Sequence, residues 1–246
     1  MYQQELARSG KALFAIRGAY LYTVIAIGVL IAWCTRASGP FASEAANCAW
    51  FWVSLGVALA GAAVRIVTSG FAALGTSGNT KKGAVAAELN TTGPYSLVRN
   101  PLYVGRILNF TGIAMLSGSW VFGAIVFLLG VLIYERISIY EEEFLRETFG
   151  PAHAAWAKDV PALFPRFHGW VKPKYPFWFR RMFWRENKKI FWLCTALILF
   201  DFARRGFDPQ AIGSAIGCYY AYGVVVLIEL GVRFLRHFTK TFDGLS

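Results

Sequence analysis

Apolar residues along this chain gather in long blocks instead of alternating with polar ones. Six blocks can be read, at 18–35, 48–68, 102–117, 119–140, 189–203 and 211–235. A membrane-crossing helix needs about 20 consecutive apolar residues, with 17–25 common. The blocks therefore predict an all-α, polytopic membrane helical bundle of about six transmembrane helices. Block three is short, and block five is short enough to tilt, to thin the bilayer locally, or to dip in without crossing. Only Ser117-Gly118-Ser119 separates blocks three and four. So tight a link predicts an antiparallel helical hairpin at the centre of the bundle, with both outer ends on one side. Three regions follow: 1–68 with two membrane helices, 69–168 with a polar loop, the hairpin and an acidic segment, and 169–246 with a basic interfacial segment and two further membrane helices.

Composition supports the membrane reading. Hydrophobic residues make up 56% of the 246 and charged residues only 16%, where soluble domains sit near 45–50% apolar. A globular core of this size would leave too much apolar surface in water. The net charge of +11 could serve nucleic acid. Here, however, the basic residues cluster between the apolar blocks, which points to membrane topology and not to a nucleic-acid partner. With the N-terminus in the cytosol, six spans leave 22 Lys and Arg on the cytosolic side and three, Arg36, Arg204 and Arg205, on the other. The expectation is an integral membrane protein with both termini and its active site facing the cytosol. That is the cytoplasmic membrane in a bacterium and an ER-type membrane in a eukaryote. The first apolar block ends in Thr35-Arg36 without a small-residue cleavage pattern, so no cleavable signal peptide is expected. Cys34, Cys48, Cys194 and Cys218 form no CxxC pair, and the three histidines lack ligand spacing to them. No metal site is expected, and the cysteines read as small buried hydrophobes. Cys34 and Cys48 fall near one membrane face, without a pattern that indicates a disulfide.

Two cytosolic segments stand out. One, 69–100, is rich in Gly, Thr and Asn. The other, 141–189, is amphipathic, basic and aromatic. Its stretch Lys172-Pro173-Lys174-Tyr175-Pro176-Phe177-Trp178-Phe179-Arg180-Arg181 interleaves charge and aromatic rings, with prolines that bar a long helix. It reads as a segment at the headgroup interface.

The chemistry-bearing residues lie at the mouth of the hairpin. Gly93-Pro94 marks a turn, and Asn100-Pro101 reads as a helix start with Asn as N-cap and Pro at the first helical position. The helix end that follows exposes backbone N–H groups and a positive dipole toward the cytosol, where a carboxylate or phosphate can sit. Gly105 removes a side chain one turn in, so a ligand or a neighbouring helix can come close. At the far end of the hairpin, Glu135, Arg136, Glu141, Glu142 and Glu143 gather where block four leaves the membrane. Taken alone this is a solvated helix end with a Glu142–Arg146 pair at i, i+4. Hairpin geometry nevertheless brings it close to Arg99 and Asn100.

In order and spacing, Gly93-Pro94-Tyr95, Arg99-Asn100-Pro101-Leu102-Tyr103-Val104-Gly105, Glu141-Glu142-Glu143-Phe144-Leu145, Phe149-Gly150 and Val160-Pro161 resemble the motifs of the isoprenylcysteine carboxyl methyltransferase and phospholipid N-methyltransferase superfamily. The resemblance covers about residues 64–168. It implies S-adenosylmethionine as cofactor, held in a cytosolic pocket, with Tyr95, Asn100, Tyr103, Gly105, Glu141 and Glu142 as its binding residues. It also implies a lipid-like or small hydrophobic acceptor (carboxylate, amine or thiol) arriving from the bilayer. Arg99 and Arg136 would be the catalytic pair that orients an anionic group of the acceptor. Most of the catalysis would be in-line positioning in a water-excluding, aromatic-lined site. The chain departs from the pattern in three places. Asn100 stands where the family carries His, which removes an imidazole base. Ile137 stands four residues before the acidic pair, where an Arg is usual. His153 and Trp156 replace two tyrosines. Two other readings are open: an NADPH-dependent sterol or steroid reductase on a similar membrane scaffold, and a transporter or scaffold without chemistry.

Overall fold

The computed structural model describes residues 2–36, 39–76 and 86–239. Lys81, Lys82 and Lys240, counted among the cytosolic charges, lie outside the described residues.

All six apolar blocks fold as helices, and no strand occurs among the described residues. An amphipathic α1 (Tyr2–Ile16), not anticipated because it is polar on one face, precedes α2 (Ala19–Cys34). The two meet at a 67° bend. Then come α3 (Glu44–Phe71), α4 (Pro101–Leu116), α5 (Trp120–Asp159), α6 (Phe179–Arg204) and α7 (Ile216–Phe238), with 3₁₀ turns at Gly93–Ser96 and Pro209–Ala215. Among the described residues, α3, α5 and α7 are each long and apolar enough to cross a membrane, and the bent pair α1–α2 could count as a fourth span. Large apolar side chains such as Trp52, Leu128 and Leu227 are 60% exposed or more. That surface suits lipid and would be costly in water. The chain is a helical membrane protein.

The central hairpin forms as the short link requires. Gly118 adopts φ +94° in the turn, a conformation without steric cost only for glycine. Ser119 caps α5 by accepting a hydrogen bond from the Phe122 N–H at 3.1 Å. Going back along the pair, Met115 meets Gly123, Ile107 meets Gly130, Tyr103 stacks on Tyr134, and Asn100 reaches Glu142. This order is antiparallel, and it carries the motif residues of both helices to one end.

Small residues let α3 and α4 pack at backbone distance. A Cβ on Gly61 would stand 2.5 Å from the Gly105 carbonyl oxygen, and one on Gly112 would stand 2.3 Å from the Ala58 amide. The buried Asn109 side chain donates to the Ala58 carbonyl at 2.9 Å, which ties the two helices where apolar contact alone gives no preferred register. α3 runs unbroken across the expected 68/69 border, so its last turns belong to the same wall as the site.

The unbroken part of α5, 120–149, runs about 45 Å at 1.5 Å per residue, longer than the ~30 Å hydrocarbon thickness. Its second half projects beyond the apolar stretch. Gly150 breaks the helix with φ 47° and ψ −120°, and Pro151 follows. The chain then turns back, and 157–166 docks on 96–100: the Arg99 N–H donates to the Pro161 carbonyl at 2.8 Å and the Arg166 N–H to the Leu97 carbonyl at 3.0 Å. Residues 161–178 form no regular helix until α6 begins at Phe179, as the prolines require.

The cysteine expectation needs correcting. All four are free thiols, but Cys34, Cys48 and Cys218 are exposed, because the outer face of a membrane bundle accepts small apolar groups as readily as its interior.

Candidate functional site

The start of α4, the projecting part of α5, the turn at 93–96 and the N-terminal turns of α6 surround a cleft of about 1050 Å³, counted out to open solvent. Of the residues expected at the site, Tyr95, Arg99, Asn100, Tyr103 and Glu141 line it. Phe144 and Trp156 add apolar and aromatic wall.

Tyr103 anchors the inner end. Its ring is 8% exposed and stacks on Tyr134 at 5.0 Å between centroids. Its hydroxyl donates to Glu141 Oε2 at 2.7 Å. That bond orients a carboxylate that lines the cleft, able to accept from hydroxyl or ammonium groups of a ligand.

The acidic pair divides its work. Glu142, expected at the cofactor, is not among the residues that line the cleft and holds the motif loop: Arg99 Nε donates to Glu142 Oε1 at 2.9 Å, and Asn100 Nδ2 reaches the same oxygen at 3.3 Å. Arg99 Nη1 also donates to the Ala157 carbonyl at 2.8 Å, and Asn100 Nδ2 to the Ala162 carbonyl at 3.1 Å. Asn100 therefore occupies the N-cap position of α4 without a side-chain cap bond. Its amide instead clamps the returning segment to the acidic pair. The Glu142–Arg146 pair expected at i, i+4 is absent, and Arg146 lies 3.7 Å from Glu143.

Besides Glu142, two expected residues stand elsewhere. Gly105 does not line the cleft. A Cβ there would meet Arg65 Cγ at 2.6 Å and the Gly61 carbonyl at 2.7 Å, so the missing side chain admits α3, the second of the two alternatives the sequence left. Arg136 turns back on its own helix and donates to the Leu132 carbonyl at 3.3 Å, away from the cleft.

Sequence reasoning missed a ring of cations. Arg17, Arg65, Arg106, Arg185 and Lys189 line the cleft with Arg99. Arg65 and Glu186 form a buried two-point pair at 2.9 and 3.0 Å, with Ser69 donating to Glu186 at 2.7 Å. Arg65 also donates to the Leu102 carbonyl at 3.2 Å, so α3, α4 and α6 meet on one guanidinium. Arg106 lies over the Tyr134 ring, 5.7 Å from its centroid. These charges read as topology signals in sequence, because they are spread over the α1–α2 bend, α3, α4 and α6. The one available hint was Glu186, the lone acid between Lys172 and Lys189.

The rim is a clasp. Glu88 lines the cleft and accepts from Lys174 Nζ and the Tyr175 hydroxyl. The Lys174 N–H donates to Thr92 Oγ1 at 3.1 Å, and the Gly93 N–H to the Val171 carbonyl at 2.9 Å. Bonds from Lys174 and Tyr175 hold the Glu88 carboxyl below its ordinary pKa, and the same carboxylate raises that of Lys174. Burial pushes the Tyr95 hydroxyl up, with Arg185 pulling the other way. Trp156 Nε1 closes over this turn by donating to the Tyr95 carbonyl at 3.1 Å, and His153 packs edge-on against Trp156 at 5.8 Å.

Comparison with known proteins finds a family match over part of the chain. Residues 51–152 match the phospholipid methyltransferase family. The chain is 40% identical over 78 residues to the cobalt-zinc-cadmium resistance protein CzcN of Cupriavidus metallidurans, a stretch that is 32% of this chain and 36% of that one. It is 37% identical over 84 residues to the nickel-cobalt-cadmium resistance protein NccN of Alcaligenes xylosoxydans xylosoxydans, covering 34% of this chain and 39% of that one. It is 34% identical over 99 residues to phosphatidylethanolamine N-methyltransferase of Homo sapiens, covering 39% and 49%. The chain thus spans less than half the length of these curated relatives. No solved structure matches it. The stretch that matches the phospholipid methyltransferase family, residues 51–152, holds most of α3, all of α4 and the motif-bearing part of α5.

Proposed function

We propose that the protein is an integral membrane methyltransferase that uses S-adenosylmethionine and acts on a lipid-like or small hydrophobic acceptor. One observation carries the reading: Tyr103 and Glu141, from the two motif segments of the family, meet at 2.7 Å at the inner end of one cleft. The cleft fits the cofactor on chemical grounds. It offers a carboxylate for hydroxyl or ammonium groups, Arg106 for a carboxylate, and Tyr95, Phe144 and Trp156 as apolar and aromatic walls for the remainder.

S-adenosylmethionine, when bound, supplies a methyl group that passes to a nucleophile on the acceptor while the sulfur departs as a neutral thioether. The protein's part is positioning. Glu141, oriented by Tyr103, holds polar groups of the cofactor. The Glu142–Arg99–Asn100 clamp fixes the returning segment 157–162, and with it Trp156, so that water is kept from the reacting atoms. Arg99 acts through this clamp and is a positioning residue, while Arg136 is given no part in the reaction. With Asn in place of His at residue 100 no imidazole base stands at this point, which suits an acceptor that arrives as an anion or a free amine. The six-span topology with both termini and the cleft on the cytosolic side is part of the proposal and rests on the charge imbalance between loops.

The test is cofactor binding. Detergent-purified protein should bind S-adenosylmethionine, and Glu141→Gln should weaken it by about tenfold or more, the value of one charged hydrogen bond. Binding of NADPH in its place would support the reductase reading.

A further inference from the structure

We infer that Arg185, with Lys189 one turn later on α6, forms a subsite for the phosphate group of a lipid acceptor. The inference rests on the methyltransferase reading for the word acceptor, but not for the anion.

Arg185 is 9% exposed and lines the cleft. Among the described residues, no hydrogen bond or ion pair holds its guanidinium. A buried charge without a partner is unstable in a low-dielectric site, so this side chain is poised for an anion the protein does not itself provide. The carboxylates nearby are already engaged. Glu186 is held by Arg65 and Ser69, with Lys189 at 3.7 Å, Glu142 by Arg99, and Glu88 by Lys174. Glu141 accepts from Tyr103. Arg185 is thus a cation left without a partner in a cleft whose acids are committed, while Lys189 Nζ donates to the Arg185 carbonyl with donors to spare.

The level of these charges points to a lipid headgroup. Arg185 and Lys189 share one face of α6 at i, i+4. They immediately precede its apolar run, Ile190 to Phe200. That is the depth at which a headgroup phosphate meets basic side chains at a membrane surface. Neither residue falls within the family match at 51–152, so this end of the cleft belongs to the chain's own α6. A guanidinium and an ammonium together offer more donors than a carboxylate can use and match a phosphate's oxygens.

The full chain in detergent can be titrated calorimetrically with dihexanoyl phosphatidic acid, dihexanoylglycerol, inorganic phosphate and S-adenosylhomocysteine. The subsite predicts that phosphatidic acid binds about tenfold or more tightly than the uncharged diacylglycerol or inorganic phosphate. Arg185→Gln should abolish that preference, Arg185→Lys should keep most of it, and S-adenosylhomocysteine affinity should stay within about twofold in both. Equal binding of the two lipids by the unmodified protein would overturn the inference, whether or not the variants fold. Inorganic phosphate binding as tightly as phosphatidic acid would overturn the lipid source. Loss of S-adenosylhomocysteine binding in Arg185→Gln with lipid preference intact would reassign Arg185 to the cofactor. An unmodified protein that prefers phosphatidic acid but ignores S-adenosylhomocysteine would uphold the subsite and sink the methyltransferase reading instead.

Discussion

At the scale of single residues, the two acidic side chains that sit next to each other in sequence do different things in space. Glu141 presents a carboxylate to the cleft, and Glu142 locks Arg99 and Asn100. Substituting each should separate the two effects. Glu142→Gln should weaken the clamp and lower stability by about 1–3 kcal/mol, the range for charged hydrogen bonds, seen as a lower thermal midpoint in detergent. Its effect on S-adenosylmethionine affinity should be smaller than that of Glu141→Gln. Equal losses of affinity would put both carboxylates on the cofactor. Tyr103→Phe keeps the ring stack on Tyr134 but removes the donor to Glu141. It should weaken cofactor binding by less than Glu141→Gln, and an unchanged dissociation constant would remove Tyr103 from the site. The motif residues were legible in sequence because a hairpin with a three-residue link leaves only one way to bring Asn100 and Tyr103 beside Glu141 and Glu142. The cationic ring was not. Arg65 and Glu186 are 121 positions apart, and only the packing of α6 against α3 brings them together.

At the scale of elements, the apolar blocks announced their helices because each is a near-continuous run in which no other structure satisfies the backbone in lipid. Helix ends were less legible. α5 continues well past its apolar block, where Glu143 and Arg146 pair at i, i+3, a spacing that supports a helix in water as well as at a membrane surface. α1 escaped notice because its polar face hides it from a search for apolar runs, yet it packs on α5 beside the site. Its Gly10 would, with a Cβ, stand 2.1 Å from the Arg136 carbonyl. Close approach also explains Gly105. Gly105→Ala should force α4 away from Arg65 and Gly61, a backbone shift of the overpacking kind that costs about 1–3 kcal/mol. The readout is a lowered thermal midpoint together with weakened cofactor binding. A variant as stable as the parent would show that the α3–α4 contact gives way easily.

At the scale of the whole molecule, the proposed orientation rests on loop charge. Cys34 and Cys48 flank the short loop between α2 and α3 and are exposed thiols. With both termini cytosolic, a membrane-impermeant maleimide added to sealed cells should reach them, and protection of both would reverse the orientation. The rim clasp gives a pH window. The Glu88 carboxyl has a lowered pKa, so its contribution is complete above the unfolded value and is lost as pH falls through the lower folded one. The Lys174 ammonium has a raised pKa, so its contribution is complete below its unfolded value and is lost only as pH rises past the higher folded one. The clasp should therefore hold across neutral pH. Glu88→Gln should speed proteolysis or hydrogen exchange at 86–92 there, and the parent should show the same protection at pH 6 and pH 9. The measurement that bears most directly on the whole account is calorimetric titration of the detergent-purified chain with S-adenosylmethionine, run beside Glu141→Gln. Binding by the parent that weakens about tenfold or more in the variant is the predicted result. No binding by the parent, or equal binding by both proteins, would contradict it.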